Sequence, residues 1–243
     1  MICAIMQPTY IPWMGYFDLI DKVDKFVFYD NVQLAKRSWQ VRNRLKGSNG
    51  ELWLTIPITK TKSRNETLIL NAVPNINEKW IKNHLRSIEL NYKKAKSFES
   101  VFELLRNEYV EQVSLADFNI NLIKTISRKI GIKTDFIRSS EIEGIIGQKD
   151  DRLVQICQAL KINKYLSPQG SADYINETTK GGLFVSKEID LFYHDYKHPE
   201  YQQLFKKFMP YTGIYDLLFN VGFDNALQII RSGRKNNIHF TNL

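Results

Sequence analysis

The sequence predicts an α/β protein with a Rossmann-like, mostly parallel sheet, flanking helices and a helical insertion. Residues 2–6 and 25–29 are short hydrophobic runs bounded by polar or turn residues, which is the pattern of buried strands. Between these runs, Phe17, Ile20 and Val23 have the spacing of a short amphipathic helix. A strand, a helix and a second strand in this order are typical of the beginning of a parallel sheet.

A long helical segment follows between residues 75 and 131. Hydrophobic residues recur there at intervals of three and four, as at Phe102, Leu105 and Tyr109, and predict three helices. The chain then returns to alternating strands and helices. We therefore expect 75–131 to be a helical insertion within a single α/β domain that spans residues 1–243.

A second unit of strand, helix and strand resumes the sheet after the insertion. Residues 133–138 and 164–170 predict the strands, and residues 150–162 predict a helix capped by Asp150 or Asp151. A connection of this length suits a right-handed crossover between parallel strands.

The chain carries an excess of positive charge. Its 243 residues include 34 Lys and Arg against 26 Asp and Glu, a formal net charge of +8, which favours anionic partners such as nucleotides, sugar phosphates, nucleic acids or a membrane surface. Residues 36–47 and 59–64 are dense in Lys and Arg and contain no acidic residue, so the anion site is expected in this part of the chain. Residues 52–58 and 67–70 are expected to pair as a hairpin. Its tip would carry Lys60, Lys62 and Arg64.

The hydrophobic runs are too short for a transmembrane segment, which needs about 20 residues. The first residues resemble a core strand rather than a signal peptide, because no basic residue precedes them and a polar loop follows at once. We therefore expect a cytoplasmic protein with no membrane span. Cys3 and Cys157 lie in apolar segments without CxxC spacing and are expected to be buried thiols. Residues 231–243 have no periodicity and are expected to form an exposed end.

No motif identifies a cofactor. The closest pair of histidines, His194 and His198, lacks the glutamate of a zinc-protease helix and is followed by Pro199. The patterns GxGxxG, GxxxxGK[ST] and GxSxG are absent from the sequence. The sequence thus predicts no metal site and leaves the cofactor open among a nucleotide sugar, ATP and acyl-CoA. An anion would be bound by Arg, Lys and helix N-termini.

The loop "QPTYIPWMGY" follows the first predicted strand. In open α/β sheets ligands bind beyond the carboxyl ends of the strands, which is where this loop lies. Its prolines limit the backbone entropy of an irregular segment, its glycine permits a close approach, and its aromatic rings offer flat faces to a base or sugar. The alternative is that Trp13 and Phe17 fasten the helix onto the sheet. The candidates from this loop are Gln7, Tyr10, Trp13, Gly15 and Tyr16.

The segment "DNVQLAKRSWQVRNR" follows the second strand and is expected at the same edge. Asp30 and Asn31 could bind sugar hydroxyls or an amine, and Arg is suited to bidentate phosphate contacts. The alternative for any one of the basic residues is a solvated face. The candidate phosphate ligands are Lys36, Arg37, Arg42 and Arg44.

Two later segments add candidates. "SPQG" ends a later strand, so Ser167 and Gln169 could contact the same ligand, although a turn with an N-cap serine is the alternative. His194 and His198 are paired candidates for a base near neutral pH, or surface residues.

The sequence resembles the WbqC-like family. The matching segments occur in order over almost the whole chain: "MQPTYIPWMGYFDLI", "DNVQLAKRSWQVRNRLK", "LWLTIPI", "DDRLVQICQAL", "YLSPQGSADYI", "HPEYQQLFKKFMPY" and "YDLLFNVG". Ser38 matches the family pattern as well and joins the binding candidates. The resemblance implies a bacterial protein of surface-polysaccharide and O-antigen (lipopolysaccharide) biosynthesis that acts on sugars as a transferase or modifying enzyme. It supplies no assigned catalytic set.

The leading hypothesis is a transferase that adds an acyl or aminoacyl group to a nucleotide-linked amino sugar, its small anionic substrate. The basic candidates would hold phosphates, Tyr10 and Trp13 would stack on the base or sugar, and Asp30 or His198 would remove a proton from the amine.

Two alternatives stay open. Nucleotidyl transfer or adenylation is suggested by analogy with enzymes that place an HxGH loop after the first strand, but Trp13 and Tyr16 stand where the histidines would be. A non-catalytic module could bind glycan precursors or nucleic acid. Nucleic acid is the less favoured partner, because no known reader motif is present.

Overall fold

The protein is described by a computed structural model that covers residues 1–35, 38–59, 67–177 and 179–243. Eight strands lie in these ranges and form a sheet of six strands and a separate hairpin of two. The strands are β1 (Ile2–Met6), β2 (Lys25–Phe28), β3 (Arg42–Gly47), β4 (Gly50–Thr55), β5 (Asp135–Arg138), β6 (Lys164–Pro168), β7 (Asp190–His194) and β8 (Ile238–His239).

The large sheet is parallel except at one edge. Its order is β5-β2-β1-β6-β7-β8, and only β8 is antiparallel to its neighbour. The chain builds outward from β1 through β2 to β5, then returns to the other side of β1 and builds outward again through β6 and β7. The strand order therefore reverses between β1 and β6, the kind of point at which α/β sheets bind ligands. The predicted Rossmann-like, mostly parallel α/β fold is confirmed.

Helices cover both faces of the sheet. Alternate residues of β1 point to opposite faces: Cys3 and Ile5 belong to one core and Ala4 to a second, larger core, and each core is shared with helices on its own side of the sheet. Three helices, α2 to α4, occupy the segment where an insertion is predicted. The helices are α1 (Met14–Asp21), α2 (Trp80–Tyr92), α3 (Phe98–Glu108), α4 (Leu115–Lys129), α5 (Lys149–Ala159), α6 (Ala172–Ile175), α7 (Gly182–Ser186), α8 (Ile214–Val221) and α9 (Phe223–Ser232).

The predicted hairpin between residues 52–58 and 67–70 is wrong. Strand β4 pairs with β3 instead, and Ile69–Asn71 forms a short 3-10 helix. The two strands are joined by Ser48 and Asn49, a tight two-residue turn that costs less loop entropy than the longer connection. The predicted tip residues Lys60, Lys62 and Arg64 lie outside the described residues.

Three smaller expectations meet different outcomes. The predicted cap of α5 is wrong, because its N-cap is Gln148. Asp150 and Asp151 lie in the first turn instead, where their negative charge interacts favourably with the helix dipole. The C-terminal residues are not simply an exposed end, because β8 pairs with β7. Cys3 and Cys157 are free and fully buried, with 3.7 Å between their Sγ atoms, so the prediction of buried thiols is confirmed.

Within the described residues, none of the helices has the length and apolar character to cross a membrane.

Candidate functional site

Two adjoining cavities lie at the carboxyl edge of the sheet, beside the reversal of strand order. The wide chamber has a volume of about 600 Å³ and the aromatic chamber about 380 Å³. Met6, Thr9 and Trp39 line both and form their common wall. The wide chamber is also lined by Gln7, Tyr29, Gln40, Lys149, Ser171 and Tyr174. The aromatic chamber is also lined by Pro12, Trp13, Tyr16, Asn43, Arg44 and Tyr211.

The first loop, residues 7–13, is held in a strained conformation. Ile11 has a φ of 45°, which is unusual for a β-branched residue and costs on the order of 1–3 kcal/mol. The Asn43 amide compensates by donating hydrogen bonds to the carbonyl oxygens of Tyr10 (3.0 Å) and Ile11 (2.8 Å). The backbone N–H of Ile214 donates to the carbonyl of Pro12 at 2.9 Å. Strand β3 and the beginning of α8 therefore fix the loop from two sides.

Gly15 makes room for a ring of its own loop. A Cβ added at Gly15 would lie 2.3 Å from Cη2 of Trp13. The Trp13 indole in turn contacts the rings of Tyr196, His198 and Tyr211. The close approach predicted for Gly15 thus involves Trp13 itself. Trp13 fastens the loop to the C-terminal part of the chain and also forms a wall of the aromatic chamber.

Tyr10 belongs to the core, so its predicted stacking on a ligand is wrong. It is fully buried, and its hydroxyl donates to Nδ1 of His84 (2.8 Å) and accepts from Tyr109 (2.6 Å). Tyr215 donates to Tyr109 (3.3 Å), and Nε2 of His84 donates to the carbonyl of Thr55 (3.1 Å). Burial lowers the pKa of His84 to about 4, partly offset by the bond to Thr55. We call Tyr10, His84, Tyr109 and Tyr215 the interior cluster.

Gln7 and Gln40 form the polar floor of the wide chamber. The Nε2 of Gln40 donates to Oε1 of Gln7. The backbone of Gln40 is fixed because Asn119 donates to its carbonyl oxygen at 2.9 Å. Gln40 is only 6% exposed, yet its Oε1 has no hydrogen-bond partner among the described residues. Buried acceptors are normally paired, so a donor group supplied by a ligand would fit here.

The cationic candidates are distributed around the chambers. Arg44 lines the aromatic chamber and forms an ion pair with Glu51. Arg42 lies over the Trp53 ring, 4.1 Å from its centroid. Lys149, which the sequence did not suggest, lines the wide chamber at the first residue of α5. The predicted phosphate ligands Lys36 and Arg37 lie outside the described residues.

Asp30 and Asn31 organise the ends of β2 and β5. The buried Asp30 carboxylate accepts hydrogen bonds from Nε of Arg138 (2.7 Å) and from the N–H (3.0 Å) and hydroxyl (2.8 Å) of Ser140. Asn31 is hydrogen-bonded to Ser139, which also bonds to Asp30. Both oxygens of Asp30 are therefore already engaged. This geometry argues against the predicted role of Asp30 as a base, and neither residue lines a chamber.

His198 lies behind Trp13, with the two ring centroids 6.1 Å apart and the planes nearly parallel. Its Nδ1 donates to the carbonyl of Pro199 at 2.9 Å, and its Nε2 is buried with no partner in the described part of the chain. Burial lowers the pKa of His198, so the imidazole is neutral at pH 7. A neutral imidazole with a vacant nitrogen can accept a proton.

The remaining candidates lie beside the chambers. Ser167 is buried within β6, and its hydroxyl donates to the carbonyl of Pro168 at 3.3 Å. Gln169 is exposed, and its neighbours Pro168 and Gly170 line the wide chamber in its place. The Ser38 hydroxyl is buried and has no partner in the described ranges, while its carbonyl accepts the N–H of Val41 at 3.1 Å.

Sequence reasoning missed several lining residues. Trp39 and Gln40 stand inside the basic segment "DNVQLAKRSWQVRNR", where the charged residues give the stronger sequence signal. Lys149 directly precedes a predicted helix that begins at the carboxyl edge, and this position was a usable signal. Tyr211 gives no such signal, because it is brought to Trp13 by contacts across almost the whole chain.

Fold and chambers together define a Rossmann-like α/β protein with two adjoining cavities where its strand order reverses. The model of the WbqC-like protein family matches residues 7–228, and the chain therefore belongs to the WbqC-like family. It is 37% identical to "Uncharacterized protein Rv1507c" of Mycobacterium tuberculosis over 222 residues, which cover 90% of this chain and 93% of the relative. No solved structure gives a significant match. Membership in the family suggests a role in polysaccharide biosynthesis.

Proposed function

We propose that the protein is a transferase of surface-polysaccharide biosynthesis that adds an acyl or aminoacyl group to a nucleotide-linked amino sugar. The observation that carries this proposal is the pair of chambers that share a wall at the point of strand-order reversal. Transfer between two substrates requires two binding spaces with a common boundary, so that the reacting groups meet.

The wide chamber suits the sugar and its phosphates. Gln7, Gln40 and Ser171 offer the amide and hydroxyl groups that hydrogen-bond to sugar hydroxyls, and the unpaired Oε1 of Gln40 would accept from one of them. Lys149, which also forms an ion pair with Glu177, lines this chamber at the N-terminus of α5, where the helix dipole favours phosphate. This half would bind the acceptor.

The aromatic chamber suits the group to be transferred. Its walls include Trp13, Tyr16 and Tyr211, and a space of about 380 Å³ accommodates a short acyl or aminoacyl chain. The amine of the sugar would attack the acyl carbonyl carbon at the common wall, and the bond from that carbon to its carrier would break. The amine loses a proton in this step. His198 lines neither chamber and its Nε2 is buried behind Trp13, which argues against its predicted role as the base, so the proton passes to water in the chambers.

The test combines binding with turnover. Isothermal titration calorimetry should show that UDP-glucosamine binds to the wild type. Gln40→Leu should lower the affinity by at least about tenfold, because it removes a buried hydrogen bond to the sugar. Gln169→Leu is the matched control, since Gln169 is an exposed glutamine beside the chamber, and should bind normally. Mass spectrometry after addition of acetyl-CoA or an aminoacyl donor would then detect N-acylated UDP-glucosamine.

Other outcomes point elsewhere. Release of pyrophosphate from ATP or CTP would favour the nucleotidyl-transfer alternative. Binding of the nucleotide sugar with no turnover across the acyl donors would favour a non-catalytic module. Binding to random DNA or RNA with a steep salt dependence would replace the sugar by nucleic acid as the partner.

A further inference from the structure

Three flat groups are stacked beside the chambers, two of them on the β3–β4 hairpin and the third in the turn before β3. The Arg42 guanidinium lies 4.1 Å from the centroid of the Trp53 ring. The Trp53 ring stacks on Trp39, with the centroids 6.0 Å apart and the planes inclined by 22°. We call Arg42, Trp53 and Trp39 the stacking ladder. It ends at Trp39, which is 53% exposed and lines both chambers.

The hairpin register explains how the ladder forms. Trp53 is directly opposite Arg44, so Arg42 is its diagonal neighbour on the same face of the two strands. The opposite face carries Leu45 and Leu54, which are buried in the core. The Trp53 indole N–H donates to Glu51 at 2.8 Å and fixes the ring in place. The ladder therefore lies on the outer face of the hairpin, opposite the core.

An exposed pair of stacked tryptophans is an unusual use of apolar area. Trp39 and Trp53 are 53% and 39% exposed, whereas tryptophan is generally highly buried. Large exposed aromatic surfaces commonly mark binding sites. Trp13, the other tryptophan of the aromatic chamber, is already contacted by Tyr196, His198 and Tyr211. Trp39 is consequently the better placed of the two to receive a further ring.

We infer that Trp39 stacks on the nucleobase of the nucleotide-linked sugar. This inference rests on the proposed function and deepens it by fixing how the substrate is oriented. A nucleobase is planar and would extend the ladder by one ring, and the Arg42 cation at the other end strengthens such an arrangement. With the base on Trp39, the phosphates lie toward Lys149 and the sugar toward Gln7 and Gln40 in the wide chamber.

The experiment compares two probes that differ by the nucleoside phosphate. UDP-N-acetylglucosamine and N-acetylglucosamine 1-phosphate are titrated by calorimetry into the wild type, Trp39→Ala and Trp39→Phe. Trp39→Ala should weaken the binding of UDP-N-acetylglucosamine by about tenfold or more, which is the usual effect of losing one stacking contact with a base. Trp39→Phe should retain most of the affinity, because it keeps an aromatic face. N-acetylglucosamine 1-phosphate should bind all three proteins within about twofold.

Phe102→Ala is the matched control. Arg106 lies 5.5 Å above the Phe102 ring on α3, so this change also removes the ring of a cation–π pair, but Phe102 lines neither chamber. It should leave the binding of both probes unchanged. GDP-mannose, dTDP-glucose and CMP-N-acetylneuraminate are titrated in parallel, so that guanine, thymine and cytosine are also represented.

The contrary results separate this inference from the proposed function. Equal binding of nucleotide sugars to the wild type and Trp39→Ala would overturn the stacking role and leave the transferase proposal intact. An equal loss of affinity for both N-acetylglucosamine probes in Trp39→Ala would also overturn it, because Trp39 would then contact the sugar or phosphate. Failure of the wild type to bind any of the four nucleotide sugars would overturn the proposed function, and the stacking role with it.

Discussion

Two groups of aromatic residues flank the first loop, and they differ in burial rather than in residue type. In the interior cluster every ring is buried, and a chain of hydrogen bonds runs from Tyr215 to His84 and on to the Thr55 carbonyl. In the stacking ladder, Trp39 and Trp53 are about half exposed and stack face to face. The comparison teaches that saturated hydrogen bonds mark aromatic residues that support the fold, whereas open ring faces mark those available to a ligand.

The largest expected effect separates the two groups by stability. His84→Ala removes a buried ring and leaves the Tyr10 hydroxyl and the Thr55 carbonyl without their partner, which should lower the free energy of unfolding by about 3–5 kcal/mol. Trp39→Ala should lower it by less than about 1 kcal/mol, because the side chain is half exposed. Urea denaturation of both variants measures the difference. Similar losses in the two variants would mean that the ladder also supports the fold.

The second prediction concerns pH. The pKa of His84 is lowered by burial from 6.5 to about 4, so the unfolded chain takes up this proton first as the pH falls. The stability associated with neutral His84 is therefore complete above pH 6.5 and is lost as the pH falls toward 4, by at most about 3 kcal/mol. Tyr10 and Tyr109 stay protonated in this range, because burial raises the pKa of both.

His84→Gln is the control for the pH prediction. Glutamine can replace both hydrogen bonds of the imidazole but does not titrate. Free energies of unfolding measured between pH 7 and pH 4 should fall less steeply in this variant than in the wild type. Parallel curves would show that His84 does not account for the acid sensitivity.

The smallest expected effect on stability acts on the chamber itself. Gly15→Ala places a methyl group against the Trp13 indole and should cost about 1–3 kcal/mol while displacing the wall of the aromatic chamber. Gly170→Ala is the matched control for stability only, because a Cβ there would have no atom within 4 Å, although Gly170 lines the wide chamber. Thermal unfolding and turnover with the acyl donors measure both consequences. Unchanged turnover in Gly15→Ala would show that the position of Trp13 is not critical.

The sequence was most informative where its signals are local. Hydrophobic periodicity predicted the parallel sheet and the three helices of the 75–131 segment, and the position of Gln7 after β1 placed it in the wide chamber. The same periodicity could not separate Tyr10 from Trp13. Tyr10 is buried because His84 and Tyr109 come from the inserted helices to meet it, and no local pattern encodes that meeting.

The charge of a residue indicated its role in the candidate site less reliably than its burial in the structure. Asp30 follows β2 at the expected edge, but Arg138 and Ser140 at the end of β5 engage its carboxylate. Pairing partners of this kind lie more than 100 positions away in the chain and are not visible in the segment that contains Asp30. Trp39 is the opposite case, an uncharged residue that lines both chambers. Its exposure depends on the hairpin register that brings Trp53 beside it.

The partners of the first loop come from the far end of the polypeptide. Gly213 donates to the carbonyl of Arg44 at 2.8 Å, Ile214 donates to that of Pro12 at 2.9 Å, and Tyr211 completes the aromatic chamber. Because a chain is synthesised from its N-terminus, the strained loop around Ile11 cannot make these contacts until most of the protein has left the ribosome. A nascent chain therefore lacks a formed aromatic chamber, and only the finished protein has both chambers complete.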